Sequence, residues 1–107
     1  MKRRADIDDK TASLALQSLA RALAGLSKPE EVRAFLQDLC TPAELEAMAD
    51  RWRVVPLILK GVPYREIHEL TEVSVTTIGR VARTLETGTG GYATALRRQQ
   101  SRTTAQH

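Results

Sequence analysis

The sequence predicts an all-α protein built as a single domain of about six helices. Apolar residues recur at intervals of three and four along the chain, and no segment carries the pattern of a β-strand. Prolines and glycines stand where helices are expected to start and stop. Four of the 107 residues are aromatic, so small and aliphatic side chains must fill the core, which suits closely packed helices.

The first helix is predicted from Lys10 to Ala24, behind a flexible arm of residues 1–9. Asp8 or Asp9 is expected to cap its positive end, and Gly25 is placed to end it. The side chains predicted to form its buried stripe are Leu16, Leu19, Ala20 and Leu23.

The second helix is predicted to start at the capping box Ser27-Lys28-Pro29-Glu30, in which an early proline lacks an N–H that would have no partner anyway. It runs to about Leu39. The residues expected to face inward are Val32, Phe35, Leu36 and Leu39.

The third helix is predicted to start at Thr41-Pro42-Ala43-Glu44, to run to about Lys60 and to be closed by Gly61. Pro56 lies inside it and has no N–H to donate, so the sequence predicts a kink there. The residues assigned to its apolar face are Leu45, Met48, Ala49, Trp52, Val55 and Leu59.

The segment of residues 63–86 has the pattern of a helix-turn-helix. We expect one helix over residues 64–70, a turn over residues 71–73, and a second helix over residues 75–86 with Ser74 as its N-cap. Two positions depart from the usual pattern, since His68 and Glu72 stand where alanine and glycine are common. The residues predicted to pack inward are Ile67, Leu70, Val73, Ile78, Val81 and Leu85.

The second of these helices presents a polar stripe that suits the major groove of DNA. Thr76, Gly79, Arg80 and Arg83 follow at i, i+3, i+4 and i+7, so they share one face, which carries two guanidinium groups. An ordinary helical hairpin inside a bundle is the alternative interpretation. The residues predicted to contact DNA are Arg65, His68, Ser74, Thr76, Thr77, Gly79, Arg80 and Arg83.

The C-terminal part predicts one more short helix, from Tyr92 to about Gln99, so that the domain spans residues 10–99. The glycine-rich segment of residues 87–91 has no preceding strand and no following Lys-Ser/Thr, so we interpret it as a helix cap and connector rather than a phosphate loop. Residues 100–107 are predicted to be a disordered tail.

The order and spacing of several short motifs resemble the tryptophan repressor family, and in particular its short bacterial YerC/YecD branch. That branch shares Tyr64-Arg65-Glu66-Ile67 and Gly88-Thr89-Gly90-Gly91-Tyr92. The remaining matches are Thr41-Pro42-x-Glu44-x-Glu46-Ala47, Arg51-x-Arg53-Val54, Gly61, Thr77-Ile78-x-Arg80 and Leu85. The resemblance implies an intertwined, all-helical homodimer that binds double-stranded operator DNA. Thin amphipathic helices that cannot close their own core also favour a dimer.

The resemblance further implies a possible small-molecule effector. Its candidate contacts are Arg51 and Arg80, Thr84, and Thr41 from the partner subunit. Val81 replaces a glycine that borders the indole of tryptophan in that family, so we expect no strong response to L-tryptophan.

Other function classes find little support. His68 and His107 have no plausible nucleophile partner, and no His/Cys pair has the spacing of metal ligands, so we expect neither an enzyme nor a metal or cofactor site. A lone cysteine, Cys40, and the lack of any membrane-length apolar run predict a cytoplasmic protein with no membrane partner. A protein-interaction module remains the alternative function, because Glu69 and Glu72 near the supposed DNA face would repel phosphate.

Overall fold

The computed structural model describes residues 8–105, and they form six helices and no strand. The helices are α1 (Asp9–Ala24), α2 (Pro29–Leu39), α3 (Pro42–Leu59), α4 (Tyr64–Thr71), α5 (Val75–Thr87) and α6 (Gly91–Ala105). The all-α prediction is therefore confirmed. Two compact units divide the chain after Pro42. Within the described range, no helix has both the length and the apolar character needed to cross a bilayer. Most of the predicted arm and the last two tail residues lie outside the described residues.

Local signals set the ends of α1. The Asp8 carboxylate accepts a hydrogen bond from the Thr11 backbone N–H at 2.7 Å, which makes Asp8 the N-cap. This hydrogen bond from Thr11 lowers the pKa of Asp8, because it stabilises the charged form. At the other end, the N–H of Gly25 donates to the Arg21 carbonyl at 3.0 Å. Both predicted boundary signals are confirmed.

The start of α2 differs from its prediction by one residue. Lys28 is the N-cap, so the third helical residue is Glu31 rather than Glu30. One oxygen of Glu31 accepts from the backbone N–H groups of Ser27 and Lys28, at 3.3 Å each. The predicted box was wrong in its acidic partner, because the helix counts from Pro29 as its first residue.

The apolar side chains of α1 and α2 are not buried by other residues of the same chain. Neither helix contains a buried residue. Leu16, from the predicted stripe of α1, is 67% exposed, and Leu39 at the end of α2 is 50% exposed. The prediction of buried side chains was therefore wrong for the single chain, although the periodic pattern that led to it is present.

The third helix faces the core with one residue that was predicted, Val55, and one that was not, Val54. Val54 and Val55 are fully buried, whereas Met48 and Leu59, assigned to the apolar face, are exposed. Helix α3 continues through Pro56 to Leu59, and the kink stays a prediction.

The core of the second unit is small and aliphatic. Its buried residues are Val54, Val55, Ile67, Val73, Ile78 and Val81. Half-buried side chains pack around them, among them Trp52, Leu85, Tyr92 and Leu96. Four of the six residues predicted to pack inward from the helix-turn-helix are buried. Leu70 is not, since it is largely exposed.

Two side chains and one left-handed residue define the turn between α4 and α5. The Thr71 hydroxyl donates to the Ile67 carbonyl at 2.7 Å and accepts from the Val73 N–H at 3.1 Å. The His68 ring donates from Nδ1 to the Val73 carbonyl oxygen, 2.8 Å away. Glu72 ends α4 in the left-handed conformation, with φ of 63°. The turn therefore has the left-handed backbone of a helix-turn-helix without the glycine that usually provides it.

Replacing Glu72 with glycine is expected to stabilise the fold. The left-handed conformation costs a residue with a Cβ about 1–2 kcal/mol, part of which glycine loses again to its freer unfolded state, so we expect a net gain of about 1 kcal/mol. Glu69→Gly, in the same helix, is the matched control and should lose about 1 kcal/mol. Urea unfolding of both variants measures the difference, and a loss of similar size in each would contradict the assigned strain.

The segment between α5 and α6 is the connector that the glycines predict. The Gly88 N–H donates to the Thr84 carbonyl at 2.7 Å and caps α5. A Cβ at Gly88 would lie 2.6 Å from that carbonyl oxygen, so the close approach requires glycine. Helix α6 begins at Gly91 and reaches Ala105, well past the predicted end at Gln99, because residues 100–105 contain neither glycine nor proline.

Candidate nucleic-acid interface and adjoining pocket

A groove of about 560 Å³ runs along the outer face of α5. It contains five of the eight residues predicted to contact DNA, and two that were not predicted. The lining residues are Tyr64, Val75, Thr76, Thr77, Gly79, Arg80 and Arg83. Two arginines and no carboxylate line it, so the groove presents positive charge beside hydroxyl and apolar groups.

Ser74 caps the N-terminus of α5. The Ser74 hydroxyl accepts from the Thr77 backbone N–H at 3.1 Å and donates to the Thr77 hydroxyl at 3.0 Å. These bonds engage Ser74 in holding the helix start, and the first turn of α5 then points Thr76 into the groove. The predicted role of Ser74 as an N-cap is confirmed.

The two unpredicted groove residues are Tyr64 and Val75. Val75 opens α5 and is 50% exposed, and Tyr64 opens α4 and is also exposed. The sequence contained one usable signal, because Val75 precedes Gly79 by four residues and so shares its face. Apart from its chain neighbours and the backbone of its own helix, a Cβ at Gly79 would meet no heavy atom of residues 8–105 within 4 Å, so the space over this glycine belongs to the groove.

Arg65 and His68 are exposed on α4 but are not among the lining residues. The Nδ1 atom of His68 is already bonded to the turn, so contact with a ligand would have to come from Nε2. Arg65 is the second residue of its helix, a place from which long side chains reach a DNA backbone as readily as a base.

A smaller pocket, of about 230 Å³, adjoins the groove and contains most of the predicted effector contacts. Its lining residues are Arg51, Arg80, Val81, Thr84 and Tyr92. The Thr84 hydroxyl donates to the Arg80 carbonyl at 3.0 Å, which leaves its oxygen able to accept. Val81 is 1% exposed and forms part of the core as well as of the pocket wall.

Arg51 lines this pocket, whereas the neighbouring Asp50 lies beside Arg53. The carboxylate of Asp50 lies 4.0 Å from Arg53 Nη1, a surface contact of little energetic weight. Thr41, the fourth predicted effector contact, is exposed directly before α3 and is not among the residues that line this pocket.

Comparison with known proteins identifies the family. The sequence profile of the Trp repressor protein family matches residues 14–100, which is most of the chain. The chain belongs to the Trp repressor family. It is 36% identical over 90 residues to YerC, an uncharacterised protein of Bacillus subtilis (strain 168), covering 84% of this chain and 86% of YerC. The crystal structure of a proposed Trp repressor from Staphylococcus aureus matches with a TM-score of 0.75 and 34% identity, covering 81% of this chain and 87% of the other.

The Trp repressor family is one of DNA-binding regulators, so membership suggests that role for this chain. The expected resemblance to the family and to its YerC-like branch is confirmed. In this chain the groove lies along α5 of the helix-turn-helix. The smaller pocket adjoins it, and Arg80 lines both.

Proposed function

We propose that this protein is a sequence-specific transcriptional regulator, acting as a repressor, that inserts α5 into the major groove of operator DNA. The observation that carries the proposal is the α5 groove, in which Arg80, Arg83 and Thr76 lie together on a capped helix. Arginine matches the O6 and N7 acceptors of guanine, and a threonine can bond to a base edge or contact a thymine methyl. The fixed turn behind α5 supports the proposal, since it holds the helix at a set angle.

We further propose that the protein binds DNA as a homodimer. Helices α1 and α2 have no buried residue in one chain, and Leu14, Leu16 and Leu39 are each at least half exposed. Exposed leucines in such number are what a subunit interface would cover. A dimer with two-fold symmetry would also present two copies of α5 to two half-sites.

Selection of bound sequences from random duplex DNA, with and without added amino acids, tests the proposal. We expect a palindromic consensus with half-sites about one helical turn apart. The affinity for the consensus should then fall steeply with salt, with a slope of about −0.9 for each phosphate contact, because bound counterions are released. A scrambled duplex of equal length is the control and should bind far more weakly.

The alternative is a protein-interaction module that uses the same pair of helices. It is favoured by Glu69 and Glu72, which are exposed on α4 and at its end, where negative charge disfavours phosphate. Failure of the selection to give a consensus, together with weak binding to random duplex DNA, would reject the repressor and favour the module.

A further inference from the structure

Two exposed apolar side chains line the α5 groove beside its arginines. Val75 is the first residue of α5 and Tyr64 is the first residue of α4, and both line the groove. Val75 is 50% exposed and Tyr64 is 42% exposed, and neither belongs to the buried core. The packing of one chain therefore does not require an apolar group at either position, and their burial is left to whatever enters the groove.

The charge of the groove distinguishes it from the surface proposed for the dimer. Arg80 and Arg83 line the groove, and no carboxylate does. A two-fold interface joins the same patch of each subunit, so a dimer formed through this face would bring arginines against arginines. Burial of such charges without partners is costly. A duplex instead supplies phosphates for the guanidinium groups and base edges for the apolar side chains.

The space above α5 admits a base edge beside Val75. Gly79 lies one turn after Val75 on the same face and has no side chain. Apart from its chain neighbours and the backbone of its own helix, a Cβ at this position would meet no heavy atom of residues 8–105 within 4 Å. A base can therefore approach the backbone of α5 closely here. Among the four ordinary bases, the apolar group presented in the major groove is the C5-methyl of thymine.

We propose that Val75 and Tyr64 form an apolar wall that packs on the C5-methyl group of one thymine in each operator half-site. The inference rests on the proposed DNA-binding function and adds to it the base pair that the two residues select, an A·T pair. The N-terminal residues of a recognition helix contact base edges, and Val75 is the first of them in α5. Burial of a methyl group in such a contact raises affinity about fourfold. The ring of Tyr64 adds a large and rigid apolar surface.

Replacement of thymine by uracil in the selected operator tests the proposal, because it removes that methyl group and leaves the pairing edge of the base unchanged. Each thymine is replaced in turn, in both half-sites together, and the affinity of the full-length protein is measured for each duplex. We expect one position at which the wild type loses about sixteenfold, a factor of about four from each half-site.

Variants of the wall assign this loss to its two residues. In Val75→Ala and in Tyr64→Ala, the ratio of thymine to uracil affinity at that position should fall below about fourfold. Tyr64→Phe keeps the ring and should keep the ratio. Leu70→Ala is the matched control, because Leu70 is an exposed apolar residue of α4 that does not line the groove. Its ratio should equal that of the wild type. Each ratio compares two duplexes on one protein, so a general loss of stability cancels.

Equal affinity of the wild type for the thymine and uracil duplexes at every position would overturn the proposal, as would a consensus without thymine in its half-sites. So would a ratio of unchanged size in either Val75→Ala or Tyr64→Ala, since another residue, such as Thr76, would then contact the methyl group. In each of these results the wild type still binds its operator, so the proposed function stands. A wild type that binds no duplex specifically overturns both, and the apolar pair would then be assigned to a surface for a protein partner.

Discussion

Replacing Leu16 with glutamate is expected to separate the proposed dimer into subunits that no longer fold stably. Leu16 is 67% exposed in the single chain, although it belongs to the apolar stripe of α1. A leucine buried at an interface contributes about 1.5–3 kcal/mol. A symmetric dimer contains two copies, so the loss is about 3–6 kcal/mol before the cost of placing a carboxylate there. That corresponds to a rise of roughly 10²–10⁴-fold in the dimer dissociation constant.

Sedimentation equilibrium at micromolar concentration measures this change directly. Gln17→Glu is the matched control, because it adds a similar charge at the neighbouring exposed position of α1. The control should remain dimeric, with a melting temperature that rises with protein concentration as it does for the wild type. A wild type that sediments as a folded monomer would show that the protein is not a dimer. Identical behaviour of Leu16→Glu and Gln17→Glu would show that Leu16 of α1 does not lie in the dimer interface.

The features that the sequence predicted well depend on a few neighbouring residues. Asp8, Ser74, Gly25 and Gly61 mark helix ends, since capping and left-handed geometry are decided within one turn of the chain. The same locality explains the small error at α2. Proline fixed the first helical residue there, and the acidic partner moved from Glu30 to Glu31 with it.

Burial was predicted less well, because it depends on what a helix meets rather than on its own pattern. In α3 the core receives Val54 and Val55, while Leu59, assigned to the same apolar face as Val55, is exposed. A helix of 18 residues with apolar side chains on several faces does not reveal which face its neighbours cover.

In the candidate site, too, some residues could be predicted from the local sequence pattern and others could not. The groove residues on α5, such as Thr76 and Arg80, follow from helical periodicity alone. Tyr64 comes from another helix, and Tyr92 comes from beyond the glycine-rich connector, so their proximity to Arg80 depends on tertiary packing. The stacking of Tyr92 on Trp52 joins residues 40 positions apart, which no local pattern encodes.

Arg80→Ala is expected to abolish most of the preference of the protein for its operator while leaving its fold intact. The Arg80 side chain is exposed and is not part of the hydrophobic core, so its removal should leave the core packing unchanged. A guanidinium bonded to a guanine edge contributes about 1–3 kcal/mol of discrimination, so specific affinity should fall roughly 5–150-fold in each half-site, and Thr76→Ala should act in the same direction. Affinity for random DNA should change little.

Two further variants separate base recognition from charge. Arg98→Ala removes a guanidinium from the exposed part of α6, so any loss should be equal on operator and random duplexes. Arg80→Lys keeps the charge but not the planar fork, and it should therefore retain random-DNA affinity and lose discrimination almost as fully as Arg80→Ala. Equilibrium titrations of the operator and of a random duplex at one salt concentration give, for each variant, the loss of affinity relative to the wild type on each duplex. Equal losses on the two duplexes for Arg80→Ala, Thr76→Ala and Arg98→Ala would mean that α5 does not read bases, because removal of a base-edge contact must weaken the operator complex more than the random one.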